Sequence, residues 1–266
     1  GPDRGRFVGR AVSAALAHRS LDRDTANGLL APPLHPLPSL SINAGHPAAG
    51  EAHAAFRTQL VSREELIGPT VTVGVLVAIS EALAGYLGER GEDISQLSAE
   101  VPMAKGESNS PVIKAHNNFR NVGVALHPEL NRAQRGQRIR EQLDAHRSRG
   151  AHPASTASAA AFAAVPAWIL RWGMSKFDPM VRSTTVTGHT VVSSVNRGPA
   201  DLAFGNRPVV LTAGYPALSP MMSLTHGVHG IGGRVAVSVH ADSNVIDIDD
   251  YTDRVAHALA RHSNAL

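Results

Sequence analysis

The sequence predicts a mixed α/β fold, an α+β arrangement in which a mixed sheet is flanked by helices, and three observations predict it. β-Branched, alternating stretches crowd the last third, at 184–195 (TTVTGHTVVSSV), 208–214 (PVVLTAG) and 234–241 (RVAVSVHA). Apolar residues fall at helical spacing over 70–87 and 247–262. The two kinds of element follow one another without strict alternation, and no internal repeat occurs.

The elements follow in chain order. Residues 4–18 suit a short amphipathic helix, and Pro32, Pro33, Pro36 and Pro38 then break regular structure through about residue 38. Residues 1–50 therefore read as an N-terminal helix and proline-rich linker arm, and 51–266 as the main domain. FRTQLVS (56–62) alternates as a strand does. Residues 70–87 form an apolar helix with Gly91 as a stop signal shortly past its end. QLSAEVPM (96–103) and FRNVGVAL (119–126) are strand candidates. Asn131 to Arg149 carries six arginines with Ile139 and Leu143 four apart, a helix with a narrow apolar stripe. An Ala-rich helical stretch over 154–177 is interrupted at Pro166, and the closing helix over 247–262 places acids in its first turn, where the helix dipole favours them.

Composition narrows the chemistry. With no cysteine among 266 residues, a disulfide scaffold, a thiolate zinc site, an iron–sulfur cluster and a thiol nucleophile are excluded. The net charge of +3 is too small to argue for nucleic acid as a partner. No unbroken apolar run has the length of a membrane span, and no secretory signal opens the chain. The chain opens on Gly1-Pro2 without an initiator Met, which predicts a piece excised from a longer protein behind a cleaved tag.

Four features compete for a functional role. The glycine-rich run Gly227–Gly233 invites a phosphate cradle, but it leads into a strand rather than a helix N-terminus, so a tight turn between strands fits it better. His226 and His229, three apart on a strand, point to opposite faces and make a poor metal site, so no metal ligand is assigned. The arginines of 132–149 are either a solvated helix face or contacts to phosphates, to anionic lipid headgroups or to the phosphates of a nucleotide cofactor. Residues 157–172 (ASAAAFAAVPAWILRW) read either as core or as a lipid or acyl-chain contact, with Phe162, Trp168, Leu170 and Trp172 as the contact candidates. No G-x-S-x-G, P-loop or H-E-x-x-H occurs, and no catalytic residue is assigned.

Several segments, in order, resemble one family. PTVTVGVLVAISEALAGYLGERGE (69–92), AEVPMAKGES (99–108), NNFRNVGVALHPEL (117–130) and AVPAWILRW (164–172) are similar to successive stretches of the bacterial wax ester synthase/diacylglycerol acyltransferases. VVSSVNRGPADLAFGNRPVVLTAGYPALSP (191–220) resembles that family's SNVPGP strand–loop and the Y-P-x-SP segment after it. RVAVSVHADSNVIDIDDYTDRVAHAL (234–259) resembles its closing strand and helix.

The resemblance implies the C-terminal half of a two-domain, CoA-dependent acyltransferase fold related to chloramphenicol acetyltransferase. It implies transfer of an acyl group from acyl-CoA, as co-substrate and with no tightly bound cofactor, to diacylglycerol or a long-chain alcohol. The general base of such enzymes is a histidine of an HHxxxDG motif in the first domain, and that motif is absent from these 266 residues. The expected partners are therefore an N-terminal acyltransferase domain, the two substrates and a membrane or lipid-droplet surface, in a cytoplasmic setting; the chain alone is expected to be inactive. The loop Ser193, Ser194, Val195, Asn196, Arg197, Gly198 and Pro199 falls on the SNVPGP motif and is expected to line the substrate channel or the domain junction. Thr72 and Val73 fall where the family has Asn-Asp, which removes a carboxylate. A non-catalytic, lipid-binding or partner-binding relative is the alternative.

Overall fold

A six-stranded mixed sheet organises most of the chain. The computed structural model describes residues 4–43, 53–66, 68–104, 119–176 and 183–260. By packing, these divide into a larger unit (Leu34–Met103, Phe119–Gln142 and Arg182–Leu266) and a smaller one (Gly1–Pro33, Ala104–Asn118 and Leu143–Val181). This division follows packing density and does not break at residue 50.

In the larger unit the sheet order is β2 (Ala54–Ser62), β10 (Arg234–Asp242), β9 (Leu224–Ile231), β6 (Thr190–Asn196), β3 (Ser98–Ala104) and β4 (Phe119–Ala125). β2, β10 and β9 run antiparallel in sequence, while β6 lies parallel to β9 and to β3. A two-residue strand β1 (Leu37–Pro38) pairs with β5 (Thr185–Val186), so the proline-rich arm makes one short ladder; β7 (Ala203–Phe204) and β8 (Arg207–Pro208) form another. The stretch 184–195, expected as one strand, is broken at 187–189, where the His189 amide donates to the Ser98 carbonyl.

One sheet face is covered by helices. Strand alternation sends Val192 and Ser194 of β6, His226 and Val228 of β9, and Val235, Val237 and Val239 of β10 to that side. The covering helices are α2 (Val71–Gly88) and α6 (Ile248–Ala260). Thr70 caps α2 by accepting the Val73 amide, as a Thr at that position should. α2 is 18 residues long and apolar enough to cross a membrane, but two thirds of it is buried inside this unit. The first part of α3 (Arg132–Ala151) joins the same layer. Its Arg135 is buried and donates to the carbonyls of His127, Pro128 and Leu130, pinning the turn that leads out of β4. Arg132 pairs with Glu81, and Arg138 with Glu141, so these arginines serve the fold.

The other face is crossed by a coil rather than by helices. The sequence suggests a strand over 208–214, but only Arg207–Pro208 is β, and residues 209–218 form no regular element. Pro208, Pro216 and Pro220 punctuate this stretch and deprive it of amide donors. It is held by side chains: Thr225 Oγ1 and His240 Nδ1 both donate to the Pro216 carbonyl, at 2.7 and 2.8 Å. The Tyr215 and Thr58 hydroxyls lie 2.6 Å apart, and Phe56 stacks on His240. Gly227 of β9 is required here, because a Cβ on it would overlap the Gly214 carbonyl.

The sequence sets His226 and His229 on a strand but reads Gly227–Gly233 as a turn, whereas the strand β9 continues to Ile231. Its sequence LTHGVHGI is buried on both sides, so it lacks the apolar–polar alternation that marks a one-sided strand. The turn itself is Gly232-Gly233, both at positive φ, closing β9 onto β10 with two residues.

The smaller unit is helical. α1 runs from Arg4 to Ala26, eight residues beyond the expected end, and packs on α4 (Pro153–Ala163). His18 Nε2 and Ser158 Oγ lie 2.6 Å apart, His152 meets Asp24 at 3.3 Å, and Arg149 donates to Thr25 Oγ1 at 2.9 Å. Pro166 ends the run, and α5 (Ala167–Ser175) leaves at 91° to α4.

Candidate functional site

The family-like loop and the Thr72 position, far apart in sequence, meet at one end of the sheet. β6 delivers Ser194 to the helix-covered face, where its hydroxyl accepts from Thr72 Oγ1 at 2.9 Å. The strand then leaves the ladder. Asn196 Oδ1 accepts the Gly198 amide at 3.0 Å, the Arg197 amide donates to the Gly230 carbonyl, and Gly198 takes φ +84°. The Gly198 carbonyl in turn accepts from the Gly232 amide at 3.1 Å, which ties the loop to the β9–β10 hairpin. Ser193, Ser194 and Val195 are half-buried, Gly198 likewise, and Asn196, Arg197 and Pro199 are exposed, so the loop lies outside the core. Val73 is buried in the core, and Thr72 alone of that pair reaches the site.

These elements enclose a cavity of about 390 Å³, lined by the start of α2 (Thr70, Val71, Thr72), the end of β6 (Ser194 to Asn196, Gly198) and the hairpin from Gly230 to Val235. Arg63 also lines it, held by its amide on the Gly233 carbonyl at 2.7 Å. The lining includes two arginines, Arg63 and Arg234, and the amino end of α2, but no acidic residue and no histidine. Such a cavity favours an anionic or carbonyl oxygen. Its hydroxyls, on Thr70, Thr72 and Ser194, have no base beside them among the lining residues, so nothing in the cavity generates a nucleophile. A second cavity of about 600 Å³ flanks the other side of the same hairpin, lined by Leu60, Val61, Val210 and Leu211 together with Arg63, Glu64, Glu65 and Arg234.

The two histidines of β9 have separate surroundings. His226 is fully buried, its Nδ1 3.0 Å from Thr190 Oγ1 and its Nε2 2.8 Å from the Tyr251 hydroxyl. Thr190 gives its proton to the Leu224 carbonyl, so the ring donates from Nδ1 and accepts at Nε2. Burial, opposed by a backbone hydrogen bond at Val191, pushes its pKa down to about 4. His229, on the opposite face against Gly214, is lowered by burial and then by the charge of Arg197. No three His, Asp or Glu side chains converge as metal ligands among the described residues.

The pattern of residues 117–262 matches the family model of the WS/DGAT C-terminal domain. The chain belongs to the wax ester synthase/diacylglycerol acyltransferase family. No curated protein sequence matches it. Among solved structures, the domain is similar to the wax ester synthase/diacylglycerol acyltransferase of Marinobacter aquaeolei VT8, at 14% identity and a TM-score of 0.55, over 96% of this chain and 57% of that one. It is also similar to the starter condensation domain of rhizomide synthetase in a product-released conformation, at 14% identity and a TM-score of 0.50, over 96% and 53%. A variant of that condensation domain in complex with C8-CoA gives 14% identity and a TM-score of 0.50, over 95% and 52%. These likenesses establish the acyltransferase and condensation-domain fold. The chain spans a little over half the length of each.

The loop 193–199 and Thr72 thus come together, whereas Phe162, Trp168, Leu170 and Trp172 belong to the smaller unit and take no part in the cavity. The sequence marks Gly227–Gly233 as a turn but gives Arg63 and Arg234 no role. Only a long-range pairing, Arg234 opposite Ser62, brings them to the loop.

Proposed function

We propose that this domain supplies one wall of the acyl-transfer site of an acyl-CoA-dependent O-acyltransferase acting on diacylglycerol or a long-chain alcohol. The observation that carries the reading is the Thr72–Ser194 hydrogen bond, which joins two family-like motifs in one cationic cavity. In this reading Arg63, Arg234 and the amino end of α2 receive the phosphates or thioester oxygen of acyl-CoA. The apolar side of the larger cavity beside the hairpin, formed by Leu60, Val210 and Leu211, receives the acyl chain. An N-terminal domain carrying HHxxxDG contributes the base that deprotonates the acceptor hydroxyl. Phe56 and Leu60 on β2, with Val210 and Leu211 on the crossing coil, are exposed apolar residues suited to cover by that domain. The protein then acts in the cytoplasm at the surface of a membrane or lipid droplet.

The replacement of Asn-Asp by Thr72 and buried Val73 favours a second reading, a family member that binds acyl chains or a partner without transferring them. Assays of the domain joined to an HHxxxDG-bearing domain separate the two. Acyl transfer from acyl-CoA, lowered far more than stability by Gly198→Val, supports the first reading. That substitution meets open space and costs about 1–2 kcal/mol of backbone strain. Acyl-CoA binding without turnover supports the second, and equal losses of activity and stability would make the loop merely structural.

A further inference from the structure

α5 is an unusual helix for a water-facing position. It is nine residues long, none of them is buried, and seven of the nine (AWILRWGMS) are not polar. Trp168 is 69% exposed and Trp172 64%, and, four apart, they stand on one face. Leu170 and Met174, also four apart, are exposed on another. A helix that is apolar on more than one face is normally enclosed by protein, and this one is not. It is also too short to cross a bilayer.

Charge says what encloses it. No Asp or Glu occurs between Asp144 and Asp178. Within that stretch Arg147 pairs with Asp144 and Arg149 is bonded to Thr25, which leaves Arg171 and Lys176 exposed on or beside α5 with no partner among the described residues. Apolar faces, indoles and a stretch in which arginine and lysine occur without an intervening acid are the chemistry of a segment lying in the headgroup layer of an anionic bilayer. The 91° bend at Ala164–Pro166 turns α5 away from the line of α4, whose exposed Phe162 lies just before the bend.

We infer that α5 is a docking surface for an anionic phospholipid bilayer. Trp168 and Trp172 sit at the headgroup boundary, Leu170 and Met174 reach the acyl chains, and Arg171 and Lys176 meet phosphates. Binding of this kind needs no acyl transfer, so it is measured apart from the activity proposed above and stands or falls separately.

The test uses the whole chain and vesicles of phosphatidylcholine with or without about one third phosphatidylglycerol. Trp168 and Trp172 are the only two tryptophans, so intrinsic emission reports on α5 directly. Anionic vesicles are expected to shift the emission to the blue and to sediment the protein, with binding weakened by salt. Arg171→Glu with Lys176→Glu should lower sedimentation with anionic vesicles by about tenfold or more. Trp168→Ala with Trp172→Ala should lower it comparably while far-UV circular dichroism stays unchanged, since both rings lie outside the core. Unchanged emission and sedimentation with anionic vesicles would overturn the inference. So would equal binding to neutral vesicles with no effect of charge reversal, or a blue shift that needs only a higher protein concentration, which would mean that a second copy covers the helix.

Discussion

Lowering the pH should weaken the larger unit through one residue, His226. Its ring is sealed between Thr190 and Tyr251 and is neutral, with a pKa near 4 in the folded chain against about 6.5 when unfolded. A folded-state value below the unfolded one means that the unfolded chain takes up the proton first. Stability is therefore fully present above about pH 6.5 and falls as pH drops from there toward about 4. Each pH unit corresponds to about 1.4 kcal/mol, so the full interval is worth about 3 kcal/mol, a large share of a domain's net stability. Glu89 and Asp250, both lowered through hydrogen bonds from Arg254, lose their contributions only below about pH 4.5, so the upper part of the interval is free of them. Buried His189 and His229 are lowered in the same sense, and only a difference between variants isolates His226. The assay is amide hydrogen exchange in β9 and β10 of the parent and of His226→Gln, between about pH 7 and about pH 4.5. The parent should lose protection steeply, and the variant, weaker at neutral pH, should show a slope shallower by about one proton. Parallel slopes, or a His226 ring proton that titrates near 6.5 in the folded chain, would refute the reasoning.

Two further outcomes follow from the geometry. The chain by itself should not turn over acyl-CoA with diacylglycerol or a long-chain alcohol, because no histidine or carboxylate stands beside the cavity hydroxyls; measurable product from a pure sample would overturn this. Gly227→Ala should cost about 1–3 kcal/mol in urea unfolding by pushing the crossing coil off the sheet, whereas Gly230→Ala, whose Cβ meets only the Arg234 carbonyl at 4.0 Å, should cost little; similar costs would argue against a tight coil.

What the sequence made legible was local. Thr70 before an apolar run, and Asp249 and Asp250 in the first turn of α6, mark helix starts by satisfying or complementing amides within four residues. β10 alternates because its neighbours differ on the two faces. Residues 208–214 have the composition of a strand, but prolines and the hydrogen bonds from Thr225 and His240 hold the following stretch across the sheet instead. The full length of β9 was hidden for a related reason: its glycines admit that coil, and its histidines fill a core on one side and face the coil on the other. The loop 193–199 was found by resemblance alone. Arg63 and Arg234 carry no local signal, since what makes them neighbours is a ladder between distant strands. The exposure of α5 was equally hidden, because the same residues would build an ordinary core helix if another element covered them.

The strand order also governs when this molecule can exist at all. β2 and β10 are about 180 residues apart along the chain, yet each is the other's longest antiparallel neighbour. A chain made from its N-terminus presents β2, with Phe56, Leu60 and Val61, long before residues 234–242 emerge to pair with it. Much of the sheet therefore assembles late, in one long-range step, and until then β2 is an unpaired apolar edge open to misassembly. Removing the last thirty or so residues would do more than trim an end: it would strip β10 from between β9 and β2 and divide the sheet.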